Sequence, residues 1–176
     1  TMSVSAITER QGIAMLNSDS SSPALVRRGF KWFWHANLHV EMFASDVFKM
    51  LDYMVKERVG GVQSKADLDG VAIVAENTEW GTACKGVLET AAKAHGYKVT
   101  EIVTYSHRAP DLSSEVQKVM ASKPNVVIMA SYVSDAILFT KTFKSMRFAP
   151  KVVMGFDGGF AEAGYLEALG DDASAT

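Results

Sequence analysis

The sequence predicts an α/β fold in which a parallel sheet carries helices on both faces. Short apolar runs close to turn residues recur along the chain, and segments with apolar residues at helical spacing lie between them. Runs that are apolar on both faces are typical of buried parallel strands. Alternation of strand, helix and strand requires crossover connections, and these place the helices against the sheet.

The predicted strands are short and mostly apolar. They cover residues 13–16, 71–75, 97–103, 126–130 and 152–154. The polar, glycine-bearing stretch 60–70 is interpreted as the loop before the central strand. A second loop covers 18–23, where Ser22 is expected to cap a helical turn and Pro23 to take its first position.

The predicted helices are stripes of apolar residues spaced three or four apart. They cover residues 43–54, 84–91, 112–120 and 136–146. Gly96 suits the end of the second helix, and Asp111 is the expected N-cap of the third.

Composition narrows the function classes. Of 176 residues 48% are apolar and 22% charged, which is typical of a globular domain or a long fragment of one. The net charge of −2 and the lack of a basic stripe argue against a nucleic-acid surface. No apolar run approaches the roughly 18–20 residues of a membrane helix. The single cysteine excludes an internal disulfide framework and a cysteine-rich zinc site.

The loops that follow the strands are the candidate binding region, because ligands of open parallel sheets bind beyond the carboxyl ends of strands. These loops carry hydroxyls, aromatic rings and carboxylates, which suit a small polar ligand. Trp80 and Tyr132 can wall a pocket and offer a π-face to a cation, and Asp157 can add a negative charge. The alternatives are ordinary ring packing and a turn aspartate bonded to its own backbone.

Other chemistry lacks its motifs. No glycine-rich phosphate cradle follows a strand, so the glycines of 155–159 are interpreted as a sharp turn. His35 and His39 stand four apart, a spacing that can place both on one helix face. They lack the glutamate of the zinc-protease motif, so they are interpreted as surface or packing residues. His95 and His107 receive no role.

The remaining reactive side chains also have structural interpretations. Cys84 lies on an apolar helical stripe, which predicts a buried, inert thiol. Glu76 and Glu79 are interpreted as ordinary loop carboxylates rather than a catalytic pair, because nothing indicates two matched environments.

Eight short stretches occur in this order along the chain: RQGIAML at 10–16, SSSPAL at 20–25, RGF at 28–30, VAIV at 71–74, WG at 80–81, DLSS at 111–114, KPNVV at 123–127 and ALGD at 168–171. This series resembles the periplasmic solute-binding proteins of branched-chain amino-acid-type ABC transporters, the leucine/isoleucine/valine-binding protein class. The resemblance runs across nearly the whole chain.

The resemblance implies a Rossmann-like, periplasmic binding protein-like I fold of two lobes, each a parallel sheet, with the ligand between them. Residues 1–35 would be the end of a first-lobe segment and 36–40 a crossing. Residues 41–160 would form the second ligand-binding lobe, and 161–176 would approach the return crossing. The chain is therefore expected to be a truncated fragment, one lobe plus fragments of the other.

The resemblance also implies a set of ligand contacts: Asp19, Ser20, Ser21, Trp80, Tyr132 and Asp157. The first three match the loop that holds a ligand carboxylate through hydroxyls and backbone N–H groups. Trp80 stands where the family usually has tyrosine, and Tyr132 matches the aromatic residue after the next strand. Asp157 matches the acidic residue that holds the ligand ammonium. No catalytic residue, metal or cofactor is expected.

The implied function is capture, in the periplasm, of a small amino acid or a related aliphatic or aromatic carboxylate, followed by delivery to an ABC permease in the membrane. Neither nucleic acid nor catalysis is involved. Two alternatives stay open. One is a ligand-sensing domain of a regulator or receptor with the same fold. The other is an α/β enzyme with Glu76 or Glu79 as base.

Overall fold

A computed structural model describes residues 1–173 of the chain. The helices and strands follow one another in this order: α1 (Met2–Gln11), β1 (Met15–Asn17), β2 (Phe33–His35), α2 (Val40–Glu57), β3 (Val71–Glu76), α3 (Glu79–Ala94), β4 (Val99–Tyr105), α4 (Ser113–Ala121), β5 (Val126–Ala130), α5 (Val133–Ser145), β6 (Val152–Gly155) and α6 (Ala163–Leu169). Short 3₁₀ turns cover Pro23–Leu25, Lys65–Leu68, Gly158–Phe160 and Gly170–Ala173.

The main sheet is parallel and has the strand order β4-β3-β5-β6. Each of its strands is followed in the chain by a helix, so every connection is a crossover. A separate parallel pair is formed by β1 and β2, with Met15 opposite Phe33. The prediction of a parallel α/β fold is thus confirmed.

The core consists of two layers, one on each face of the main sheet. Successive residues of β3, such as Ile73 and Val74, enter opposite layers. One layer contains Phe48 of α2, together with residues of α3. The other contains Phe139 of α5, together with residues of α4. Because both faces are covered, every residue of β3 and of β5 is buried.

Two predicted strands begin later than expected for one physical reason. Gly12 and Gly96 end α1 and α3 in the left-handed conformation, with φ of 66° and 69°. The residue after each glycine still belongs to the helix end: Ile13 N–H donates to Thr8 O at 2.9 Å, and Tyr97 N–H donates to Ala92 O at 2.9 Å. These bonds close the helices as Schellman motifs. The strands therefore begin two residues further on.

Several local expectations change in detail. Leu112 rather than Asp111 is the N-cap of α4, and the Asp111 carboxylate accepts a hydrogen bond from Ser113 Oγ instead. Pro23 does take the first position of a helical turn after Ser22, but that turn is a 3₁₀ turn. The loop 60–70 contains the 3₁₀ turn Lys65–Leu68. The prediction missed α1, β2 and α6.

His35 and His39 do not share a helix face. His35 lies in β2 and His39 is the N-cap of α2, and their rings stack at a centroid distance of 4.6 Å. Within residues 1–173, no helix is long and apolar enough to cross a membrane.

Candidate functional site

The loops that follow β1, β3, β5 and β6 meet at one pocket of about 110 Å³. It is lined by Asp19, Ser20, Ser21, Ser22, Glu79, Trp80, Tyr132, Asp157 and Gly158. All six residues predicted as ligand contacts are among them. The structure thus brings together side chains up to 138 positions apart (Asp19 to Asp157), whereas their role in binding a ligand stays a prediction.

The aromatic wall of the pocket is a stacked pair. The rings of Trp80 and Tyr132 have centroids 4.9 Å apart and planes inclined by 26°. Trp80 is the second residue of α3, and Tyr132 is the N-cap of α5. The direction of Trp80 is fixed by close packing, because a Cβ on Gly81 would lie 2.2 Å from the carbonyl oxygen of Glu76. The first turn of α3 therefore presses directly on the end of β3.

Asp157 directs its carboxylate across the pocket. Its Oδ2 accepts hydrogen bonds from Ser21 Oγ at 2.6 Å and from Trp80 Nε1 at 3.0 Å. The interpretation as a turn aspartate bonded to its own backbone is therefore wrong for this oxygen. Its φ of 58° is unusual for a residue with a side chain. Sparsely populated backbone conformations are concentrated at functional sites, where the surroundings hold them in place.

The glycine at position 159 of the glycine-rich segment 155–159 is explained by close packing and not by the predicted sharp turn. The left-handed residue of the segment is Asp157, whereas Gly159 is glycine because there is no room for a side chain. A Cβ there would lie 2.3 Å from Val133 N and 2.4 Å from the carbonyl carbon of Tyr132. This close approach, together with the Gly159 N–H bond to Ser131 O at 3.1 Å, ties the Asp157 loop to the start of α5.

The loop after β1 is held by two residues that the sequence did not single out for this role. The buried Asn17 side chain donates to Ser20 O at 2.9 Å and accepts from Ser20 N–H at 3.3 Å. His35 Nε2 contacts the same carbonyl at 2.6 Å. The backbone carbonyl of buried Ser21 accepts from Val40 N–H at 3.0 Å, at the start of α2. An asparagine at the end of a strand was the sequence signal that could have predicted these hydrogen bonds to the loop.

The charge of the pocket favours a cation. Asp19, Glu79 and Asp157 contribute carboxylates, and the pocket lining drawn from residues 1–173 contains no lysine or arginine. Ser22 Oγ donates to Glu79 Oε1 at 2.6 Å, which orients one of these groups. The aromatic pair adds π-faces, which also attract cations.

A buried polar cluster, missed by the sequence analysis, lies behind the aromatic wall. Glu76, His107 and Asp135 bring one ligand-type atom each to within 4.8 Å of one another. The His107 ring meets Tyr132 edge-on, at a centroid distance of 5.2 Å. Burial raises the pKa of Glu76, and a hydrogen bond from Thr78 opposes that rise. Glu79, in contrast, is exposed, so the two glutamates do not form a matched pair.

Cys84 is buried on α3, as the sequence predicted. Burial is also the main cause that raises the pKa of its thiol, and the carboxylates of Asp157 and Glu76 add to the rise. A thiol in this state is a poor nucleophile.

Comparison with known families places this chain among the periplasmic binding proteins. A family model described as periplasmic binding protein matches residues 1–176, and the chain belongs to that family. It is 25% identical over 171 residues to Leu/Ile/Val-binding protein homolog 7 of Brucella abortus (strain 2308), covering 97% of this chain and 42% of the relative. The chain thus spans about two-fifths of the length of the curated relatives it matches.

Solved structures share the fold. One is a branched-chain amino acid ABC transporter protein from Thermus thermophilus with bound valine, at a TM-score of 0.71 and 14% identity, covering 98% of this chain and 42% of that one. Another is a solute-binding protein from R. palustris in complex with 4-hydroxybenzoate, at a TM-score of 0.68 and 15% identity, covering 88% and 39%. In each case the match spans less than half of the neighbour.

Proposed function

We propose that this chain is the ligand-binding part of a periplasmic solute-binding protein. It captures a small amino acid, or a related solute that carries an ammonium group, and passes it to an ABC permease without transforming it. In this proposal residues 1–35 belong to one lobe and 41–160 to the other, joined by a crossing at 36–40.

One observation carries the proposal: an acidic pocket with an aromatic wall, built from both parts of the chain. Ser21 and Asp157, 136 positions apart, are joined across it at 2.6 Å. An ammonium group can replace the donors that Asp157 now uses and sit against the Trp80 and Tyr132 rings. Charge-assisted hydrogen bonds and cation–π contacts are both strong in a partly desolvated site.

Binding of this kind needs no general base. A solute that contacts both lobes stabilises the closed arrangement by the difference between its affinities for the closed and open states. The permease then recognises the closed form. The family membership and the loop-borne pocket support this reading over an enzyme, and the curated relatives named as Leu/Ile/Val-binding homologues support an amino acid as the solute.

The test separates the two ends of an amino acid. Valine, valine methyl ester and isovalerate are titrated into the chain by calorimetry, up to millimolar concentrations. The first two carry the ammonium group and are expected to bind, while isovalerate, which carries only the carboxylate, is expected to be silent. Equal binding of valine and isovalerate, or silence of all three solutes, would overturn ammonium recognition.

Two variants locate the binding. Asp157→Asn keeps the size of the side chain but removes its charge, and it should weaken valine binding by about 10- to 100-fold, the value of one hydrogen bond to a charged group. The matched control is Glu167→Gln, which removes an exposed carboxylate on α6 outside the pocket. Equal weakening in both variants would indicate a long-range charge effect and would contradict the assigned site.

A further inference from the structure

The cluster behind the aromatic wall is assembled by the strand order. Glu76 is the last residue of β3, His107 follows β4, and Asp135 lies in the first turn of α5, after β5. Because β3 lies between β4 and β5, the carboxyl ends of these strands are adjacent. Three side chains distant in sequence therefore meet at one point.

The spacing of the cluster is close to that of metal ligands. His107 Nδ1 lies 3.1 Å from Glu76 Oε2 and 2.8 Å from Asp135 Oδ2. Neighbouring ligand atoms held at about 2.0–2.2 Å from one ion stand about 2.8–3.6 Å apart in octahedral or tetrahedral geometry. Both distances to His107 fall within this range, whereas the two carboxylate oxygens lie within 4.8 Å of each other and would have to stand at a neighbouring-ligand distance once an ion binds.

One carboxylate oxygen in the cluster is buried without a hydrogen bond. The Glu76 side chain is 0% exposed and that of Asp135 is 2% exposed. Among the described residues, Glu76 Oε2 has no hydrogen-bond partner, while His107 Nδ1 is hydrogen-bonded to Asp135. Glu76 Oε1 accepts the Thr78 hydroxyl, and Asp135 Oδ1 accepts Arg108 N–H at 3.1 Å. This buried oxygen makes no hydrogen bond and lies 3.1 Å from His107 Nδ1, so it could accept a metal ion as a further partner.

We infer that Glu76, His107 and Asp135 form a binding site for a divalent transition-metal ion of the Zn²⁺ type. Two carboxylates and a neutral imidazole balance the two positive charges of the ion, which compensates the buried carboxylates. The donor set of one nitrogen and two oxygens suits Zn²⁺. Binding displaces the Nδ1 proton to solvent, and no other bond changes.

The position of the ion would be one layer behind the solute pocket. The His107 ring lies edge-on to Tyr132, and Tyr132 stacks on Trp80. An ion bound there would therefore hold the aromatic wall in place from the side opposite the solute pocket. The ion would have a structural role, and the proposal does not depend on which solute binds.

The experiment uses the 176-residue chain stripped of metal with a chelator and titrated with Zn²⁺ near neutral pH. One ion per chain is expected. The near-isosteric Glu76→Gln and the variant His107→Ala should each weaken Zn²⁺ binding at least tenfold, with the far-UV circular dichroism unchanged. Co²⁺ serves as a second probe, because its visible absorption reports a nitrogen–oxygen ligand set and should disappear in Glu76→Gln.

Two histidine variants act as matched controls. His95→Ala removes a histidine that is paired with Asp52 at 2.8 Å, and His39→Ala breaks the stack with His35. Both should bind Zn²⁺ as the parent chain does. The inference is overturned if the parent chain binds no Zn²⁺, if His107→Ala binds normally, or if a control variant alone loses the ion. No solute is present, so these outcomes are independent of the solute titration.

Discussion

Replacing Gly159 with alanine tests how the Asp157 loop is held. The new Cβ would lie 2.3 Å from Val133 N and 2.6 Å from Ser131 O, where ordinary contact begins at 3.4 Å. Both atoms belong to the backbone, so the loop must move by about 1 Å and strain its 3.1 Å bond to Ser131. Overpacking costs about 1–3 kcal/mol and a lost hydrogen bond about 1 kcal/mol. The free energy of unfolding should therefore fall by about 2–4 kcal/mol.

The assay is urea unfolding of the parent chain and two variants, followed by circular dichroism. The control is Gly86→Ala in α3, where a Cβ meets nothing within 4 Å. That substitution should raise the free energy of unfolding by about 0.5–1 kcal/mol, because alanine is the better helix former. The same chemical change is thus expected to have opposite signs at the two positions.

Tight packing around Gly159 is refuted if the free energy of unfolding of Gly159→Ala lies within about 0.5 kcal/mol of the parent value, since a surface substitution would change it as little. It is also refuted if Gly86→Ala is the more damaging variant. A loop displaced by about 1 Å also carries Asp157 away from Ser21 and Trp80, so valine binding should weaken in the Gly159 variant.

Three further predictions follow from other parts of the molecule. A hydrogen bond from Lys151, aided by two backbone N–H groups, lowers the pKa of Asp67 to about 2. The stabilisation from this carboxylate is present above its ordinary pKa and is lost as the pH falls through the lowered one. The stability gap between the parent chain and Asp67→Asn should therefore begin to narrow near about pH 5 and be mostly gone below about pH 2. Phe139→Ala empties a fully buried site and should cost about 3–5 kcal/mol in urea unfolding, whereas Leu166→Ala, 61% exposed, should cost under about 0.5 kcal/mol. Cys84 should react with a thiol reagent in urea but not in native buffer, and rapid native labelling would contradict its burial.

The central strands were predictable because their environment is simple. Residues 126–130 were predicted as a strand and form β5 with the same bounds. A strand covered on both faces must be apolar throughout, and this pattern survives in the sequence whatever packs against it. The strand-end rule then located the loops of the pocket without knowledge of strand order.

The missed elements lack such a pattern. Helix α1 buries Ser5 while Val4 is 53% exposed, so its sequence carries no apolar stripe. Strand β2 has three residues, none of them fully buried, and its pairing with β1 depends on backbone hydrogen bonds that side chains do not encode. Tyr97, the residue after Gly96, is apolar and fits either the end of a helix or the start of a strand, which explains the displaced boundary.

The buried cluster was out of reach for a different reason. Glu76 and His107 are 31 positions apart, and Asp135 is 28 positions beyond His107. Each comes shortly after a predicted strand, but Glu76 was interpreted as an ordinary loop carboxylate and His107 was assigned no role. Their meeting depends on β3 lying between β4 and β5, and a sequence of alternating strands and helices does not specify that order.

The complete burial of β3 and β5 has an evolutionary consequence. A mutation within either strand changes the packing of a core layer, whereas exposed pocket residues such as Asp19 and Glu79 lie outside both core layers. If the pocket binds the solute as proposed, selection can therefore exchange these exposed pocket residues one at a time and change the bound solute while the scaffold stays the same. New specificities would then accumulate as loop substitutions between paralogues whose strands remain nearly invariant.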